Sequence, residues 1–342
     1  MPELIWKGKR ETKNYIDKIP LGSLIIDENL SYNAASSHNM IIEGDNLIAL
    51  KTLTEHYEGK IDCIYLDPPY NTGLTFLGYN DNVASDEVLK YLYENISKNL
   101  DEFDSHDRWL CVMYPRLFQL RKLLSENGAI FISIDFAEEA HLKLLMDEVF
   151  GGGNFVTKIA WRSYYNNNAY RNLISNDIEP ILIYAKNKEK WLPNNLKHLL
   201  TGTGVGDNCI YDDGIISNIW CDHNITGDYS QAYQVMKDIF SEKGEEIVFM
   251  TPKPVSLIKF IIKLSTTENS IILDAYGGSG ATAQSVIDIN HECDKSSREY
   301  IVIEMDSKTA RNITRERIIR VISSKKNISD NMIQGFKYYM VN

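Results

Sequence analysis

The chain has 342 residues, with 36 Lys and Arg against 47 Asp and Glu, a formal charge of −11 and a pI near 5.2. At 44% hydrophobic and 24% charged residues it is large enough to bury a core, and this composition excludes wholesale disorder. No apolar run approaches the roughly 20 residues of a membrane span, the N-terminal MPELIWKGKRETKNY has no signal-peptide core, and the acidic balance excludes a surface coated uniformly for nucleic acid.

Taken in chain order, apolar strand-like runs recur at 40–45 (MIIEGD), 61–67 (IDCIYLD), 129–135 (AIFISID), 180–185 (PILIYA), 270–275 (SIILDA) and 300–305 (YIVIEM). Between them, helical spacing is carried by Leu47/Leu50/Leu53, Leu117/Leu120/Leu124, Leu142/Leu145/Val149 and Leu257/Ile261/Leu264. Apolar runs that alternate with helices predict an α/β fold, a doubly wound and mostly parallel sheet covered on both faces. Residues 160–245 break the rhythm with Asn-, Gly- and Tyr-rich stretches, which predicts an inserted module of irregular loops. The division expected is therefore 1–159 and 246–342 as two parts of one domain, with 160–245 between them.

Charge is uneven along the chain. Residues 81–107 hold eight acids against two Lys, whereas 158–197 hold seven Lys and Arg against three acids and 295–326 nine against four. The first basic block interleaves Lys158, Arg162 and Arg171 with Tyr164 and Tyr165, a mixture suited to phosphates and bases and compatible with a local DNA groove. The five Cys (63, 111, 209, 221 and 293) contain no C-x-x-C pair. They predict free thiols in a reducing cytoplasm and no structural zinc. Cys209, Cys221 and His223 do not follow an established metal spacing, so no metal site is expected.

The sharpest motif is Asp67-Pro68-Pro69-Tyr70 at the end of the strand-like IDCIYL. Two prolines stop the strand and stiffen the turn. The turn would present the Asp67 carboxylate, the Pro68 carbonyl and the Tyr70 ring at the strand's carboxyl end, where doubly wound sheets bind ligands. Two acceptors beside an aromatic face suit a flat heterocycle bearing an exocyclic amino group. Asp135, ending another strand on that edge, would face the pocket or cap the helix at Ala137.

A second motif, Asp274-Ala275-Tyr276-Gly277-Gly278-Ser279-Gly280-Ala281-Thr282-Ala283, follows a strand and precedes a helix. It satisfies a dinucleotide fingerprint, with Glu304 ending the next strand as a ribose acceptor. However, Glu304 lies 26 residues after Gly278, and only 62 residues follow Gly280, too few for a nicotinamide half and a substrate domain. S-adenosylmethionine, an adenosine-bearing cofactor that is not a dinucleotide, fits better.

Together these residues resemble the amino-methyltransferases of DNA. The order of the motifs, with the irregular stretch between them, is similar to the β group, and most similar to the Mod subunits of Type III restriction-modification systems. Matching stretches include IIEGDNLIALKTL (41–53), KIDCIYLDPPYNTG (60–73), WLCVMYPRLFQLRKLL (109–124), LLMDEVFGGGNF (144–155), ILIYAKN (181–187) and TPKPVSLI (251–258). The resemblance implies methyl transfer from S-adenosylmethionine to adenine N6 in a flipped-out base of double-stranded DNA, with Asp67, Pro68, Pro69 and Tyr70 holding the base. It implies a cofactor pocket of Asp274, Tyr276, Gly278, Ser279, Gly280, Thr282 and Glu304, helped by Asp45, Lys253 and Pro254. It carries a homodimer and a restriction subunit as expected partners. Cytosine-N4 methylation and a non-catalytic DNA-recognition module are the alternatives. Two departures stand out: Ala275-Tyr276-Gly277 replaces the family's Phe-led opening, and Ile178-Glu179 stands where His-Glu is expected. The chain is also shorter than Mod subunits generally are, implying a trimmed recognition region.

Overall fold

The computed structural model describes residues 3–73, 75–76, 79–80, 83–164, 177–194, 216–241, 249, 251–293, 295–325 and 335–342. In chain order the strands are β1 (Leu24–Ile26), β2 (Met40–Glu43), β3 (Ile61–Leu66), β4 (Thr75–Phe76), β5 (Tyr79–Asn80), β6 (Leu124–Ser133), β7 (Phe155–Arg162), β8 (Ile178–Ala185), β9 (Ile219–Trp220), β10 (Ile271–Asp274), β11 (Glu299–Glu304) and β12 (Lys337–Val341). Apart from the β4–β5 pair they form one sheet in the order β1-β12-β2-β11-β10-β3-β6-β8-β7-β9. The neighbours from β12 through β6 are parallel, whereas β8 runs antiparallel to both β6 and β7. The expected mostly parallel α/β sheet is the sheet observed.

The longer helices are α1 (Lys9–Tyr15), α2 (Asn46–Tyr57), α3 (Asp86–Asn95), α4 (Ser105–Leu123), α5 (Glu139–Met146), α6 (Tyr229–Phe240), α7 (Val255–Ser265), α8 (Ala281–Glu292) and α9 (Glu316–Ser324). The central strands are buried on both sides, which is why they read as unbroken apolar runs. On one face Ile64 and Leu66 of β3 share a cluster with Leu50 of α2, Leu117 of α4 and Leu142 of α5. On the other, Cys63 and Tyr65 share one with Ile261 of α7, Val286 of α8 and Ile318 of α9. The entry into α4 is fixed by a reciprocal capping box between Asp104 and Asp107, which satisfies amides that the first turn leaves open.

The boundary expected at 160 falls inside β7, and PILIYA belongs to β8, which lies within the main sheet between β6 and β7. The described part of 160–245 therefore contributes strands to that sheet as well as α6, whose Met236 and Phe240 pack with Phe249 in a small separate cluster.

Connectivity places the site. From β10 the chain moves to its neighbour β11 on one side, and from β3 to its neighbour β6 on the other. The topological switch point thus lies between β10 and β3, and a crevice opens at their carboxyl ends. The Asp-Pro-Pro-Tyr turn leaves one of these strands and the glycine loop leaves the other.

Candidate active site

Both loops line one cavity of about 280 Å³, whose walls include Asp67, Tyr70, Lys253, Asp274, Tyr276 and Gly278. The turn after β3 is held from outside, because the indole N–H of buried Trp109 donates to the Pro69 carbonyl at 2.7 Å. Asn71 takes a left-handed backbone (φ 58°), a conformation Asn tolerates better than most residues, and the chain turns away there.

A dense polar cluster surrounds Asp67. The Lys253 ammonium donates to Asp67 Oδ1 at 2.8 Å, to the Tyr70 hydroxyl at 2.9 Å and to the Tyr229 hydroxyl at 2.8 Å. Tyr70 donates to Asp67 Oδ1 at 2.6 Å and approaches Glu179 Oε1 at 3.0 Å, while Tyr229 donates to Glu179 Oε2 at 2.6 Å. Lys253 is only 5% exposed. Burial alone would lower its pKa, but Asp67 and Glu179 outweigh that and raise it, so it remains an ammonium. Burial raises the Glu179 carboxyl in spite of Lys253. Burial, reinforced by Asp67 and Glu179, pushes the Tyr70 and Tyr229 hydroxyls well up and keeps them protonated donors.

At the cofactor end, Asp274 accepts from the Tyr276 amide at 2.9 Å and from the Thr282 hydroxyl at 2.5 Å. Burial pushes its pKa up to about 7. Gly277 lies where a Cβ would collide with the Val302 side chain, and Gly278 is left-handed (φ +46°) with a Cβ position 3.1 Å from the Phe249 ring, so the loop passes where side chains do not fit. Glu304 braces the loop: one oxygen accepts from the Gly278 amide at 2.7 Å, the other from the Asp306 amide at 2.9 Å. Arg317, itself buried, donates to the Ser279 carbonyl and hydroxyl at 3.0 and 2.9 Å. Burial lowers its pKa to about 10.

Of the residues expected at the site, Asp67, Tyr70, Lys253, Asp274, Tyr276, Gly278, Ser279 and Thr282 line the cavity, as does Tyr164. Asp45 instead caps α2, accepting from the Leu47 and Ile48 amides, and Pro254 is the residue preceding α7. Gly280, left-handed at φ 78°, immediately precedes α8. Of the two roles expected of Asp135, it faces the cavity; its carboxylate accepts from the Ala137 amide at 2.9 Å, but α5 begins at Glu139 with Glu138 in the capping position, so this bond tightens the turn before the helix and does not cap it. Lys158 is ion-paired with Glu139 at 2.8 Å, and Arg162 stands 3.8 Å from Asp177. Tyr165, Arg171 and Cys209 lie outside the described residues.

Glu179 and Tyr229 were missed from the sequence. For Glu179 a signal existed, an acid at the head of an otherwise apolar strand; for Tyr229 there was none.

The cavity wall carries four carboxyl groups, Asp67, Asp135, Glu179 and Asp274, of which burial pushes Glu179 and Asp274 toward the neutral form, against the single ammonium of Lys253 among its described residues. This balance disfavours a pyrophosphate and favours a ligand bearing positive charge.

The chain matches the DNA methylase family model designated N6/N4 over residues 61–315. It is 32% identical to the Mod subunit of the Type III restriction-modification enzyme StyLTI of Salmonella typhimurium, over 92% of this chain and 62% of that protein. It is 27% identical to the EcoP15I Mod subunit of Escherichia coli, over 99% of this chain and 71% of the relative. The chain thus spans less than two-thirds of the length of the Salmonella relative. In fold it is similar to the PvuII DNA methyltransferase, described as cytosine-N4-specific, with a TM-score of 0.54 at 15% identity, covering 88% of this chain and 90% of that one.

Proposed function

The chain belongs to the N6/N4 DNA methylase family, and from that premise we propose that it methylates adenine N6 in duplex DNA, with S-adenosylmethionine as donor, as the modification enzyme of a restriction-modification system. The observation that carries this reading is the single cavity shared by the Asp-Pro-Pro-Tyr turn and the glycine loop at the switch point.

The residues fit the cofactor. Its sulfonium suits a wall rich in carboxylates, and the glycine loop leaves room for close approach to the backbone. When bound, S-adenosylmethionine supplies an electrophilic methyl group. The chain's own residues act on the base. Adenine's amino nitrogen is a weak nucleophile because its lone pair is delocalised into the ring. Lys253 and Tyr70 both engage Asp67 Oδ1, which directs Oδ2 to one amino proton, and the Pro68 carbonyl accepts the other. Two such hydrogen bonds favour a pyramidal nitrogen and free the lone pair. The carboxylate then stabilises positive charge developing on that nitrogen, and the Tyr70 ring replaces stacking lost on base flipping. In this reading Tyr164, at the cavity wall, and Arg162 would meet the strand around the flipped base. A homodimer, a restriction subunit and a cytoplasmic location are part of the same proposal. No helix among the described residues is long and apolar enough to cross a membrane.

The test is methyl transfer to duplex DNA, with nucleoside analysis to separate N6-methyladenine from N4-methylcytosine. Asp67→Ala should lose methylation by at least a hundredfold while calorimetry still detects S-adenosylmethionine binding. Near-normal turnover in that variant would remove Asp67 from the chemistry.

A further inference from the structure

A second cluster of chemically capable side chains lies beyond the cavity wall. Glu138 precedes α5 and is placed to cap it, yet its side chain makes no capping hydrogen bond. Its wholly buried carboxylate turns instead to two histidines: Oε1 lies 2.7 Å from His106 Nδ1, on the first turn of α4, and Oε2 lies 2.8 Å from His141 Nδ1, on α5. The two imidazoles are 4.6 Å apart between centroids. The Asn71 side-chain amide, directly after Tyr70, also donates to Glu138. Among the described residues no Lys or Arg pairs with this carboxylate, and the basic side chains that reach it there are the two imidazoles.

A buried carboxylate is stable when it is paired or coordinates a cation. We propose that His106, Glu138 and His141 bind one transition-metal ion of the zinc class. Each offers a ligand atom, and the three atoms lie within 4.8 Å of one another. Two imidazoles with one carboxylate suit Zn²⁺, Co²⁺ or Ni²⁺, whereas Mg²⁺ and Ca²⁺ prefer oxygen throughout. The side chains of His106 and His141 are 44% and 32% exposed, so an ion can enter from solvent while the carboxylate anchors it from below. With an ion in place, rotating the Asn71 amide by half a turn would bring its oxygen toward the ion as a fourth ligand. Filling the site would then tether the residue that follows the Asp-Pro-Pro-Tyr turn to α4 and α5. The binding itself does not depend on the methylation reading.

The full chain, stripped with a chelator, is titrated with zinc sulfate alone. One ion per chain is expected, with affinity falling at least tenfold in His106→Ala and, separately, in His141→Ala. Circular dichroism and melting curves of both variants in metal-free buffer check that they fold. Cobalt(II) should give visible d–d absorption without a thiolate charge-transfer band, which separates this site from binding at Cys221 or Cys293. In hydrogen exchange, zinc should slow the amides of 70–73 in the parent chain and not in the variants. The proposal is overturned if the parent takes up no stoichiometric zinc, if binding survives in both folded variants, or if the cobalt spectrum carries the thiolate band.

Discussion

At the scale of single residues, the acids of the site differ in the partners they meet and in what burial does to them. Asp67 touches an ammonium at 2.8 Å, whereas Asp274 accepts from a hydroxyl and an amide, and burial, with Asp67 and Glu304 adding to it, lifts its pKa from 3.8 to about 7. The folded chain therefore binds that proton more tightly than the unfolded chain does. The stability gained from it is complete below about pH 4 and is lost as the pH rises through about 7. About three pH units at roughly 1.4 kcal/mol each give on the order of 4 kcal/mol. Asp274→Asn should accordingly melt higher than the parent at pH 8, with the difference shrinking toward pH 4; parallel melting profiles would show that ionising Asp274 costs nothing. The same acid has a functional counterpart. A sulfonium ligand favours the ionised form, so S-adenosylmethionine affinity should climb between pH 6 and 8 in the parent and stay flat in Asp274→Asn, as calorimetry across that range can establish.

At the scale of elements, β10, the glycine loop and α8 behave as one device, clamped by Glu304 at the end of β11, Arg317 on α9 and Thr314 just before it. Gly277 sits where β10 meets β11, with its amide donating to the Ile303 carbonyl at 2.8 Å. Gly277→Ala should push Val302 aside and cost about 1–3 kcal/mol, the usual range for an overpacked site. A lower melting temperature together with weaker cofactor binding is the expected pair of readouts, and an unchanged melt would mean that the loop gives way freely. How legible each element was depended on its burial. β2, β3, β6, β8, β10 and β11 were visible as apolar runs because both faces are covered. β7 was not, since FVTKIAWR mixes polar residues into a strand whose pattern is only partly buried. The two motifs were readable because each is contiguous and sits at a strand end. By contrast, Glu179 and Tyr229 enter the site from β8 and α6 through contacts that span 24 to 109 residues, and Asp45 has a local role as the cap of α2. The His106–Glu138–His141 cluster was invisible for the same reason, joining residues 32 apart across two helices.

At the scale of the whole molecule, the proposed substrate sets a chain of charge −11 against a polyanion. The surplus acid falls largely in 81–107, and 158–197 is net basic, so attraction is regional while the overall field opposes binding. Lys158 already pairs with Glu139 and Arg162 faces Asp177, so each brings less free charge to a phosphate than its count implies. Each phosphate contact contributes a slope of about −0.9 to log K against log salt on B-DNA, and the opposing field, itself screened by salt, makes the observed slope shallower still. Fluorescence anisotropy with a short duplex should therefore give a slope of about −3 or shallower, changed by less than about 1 in Lys158→Ala, as expected for the loss of one contact at most. A slope of about −6 or steeper would require a broad cationic face, and the regional charge argument would fail. With a slope that shallow, the proposed reading takes its specificity from base contacts rather than from electrostatic grip, because an acidic chain making few phosphate contacts would bind random DNA weakly.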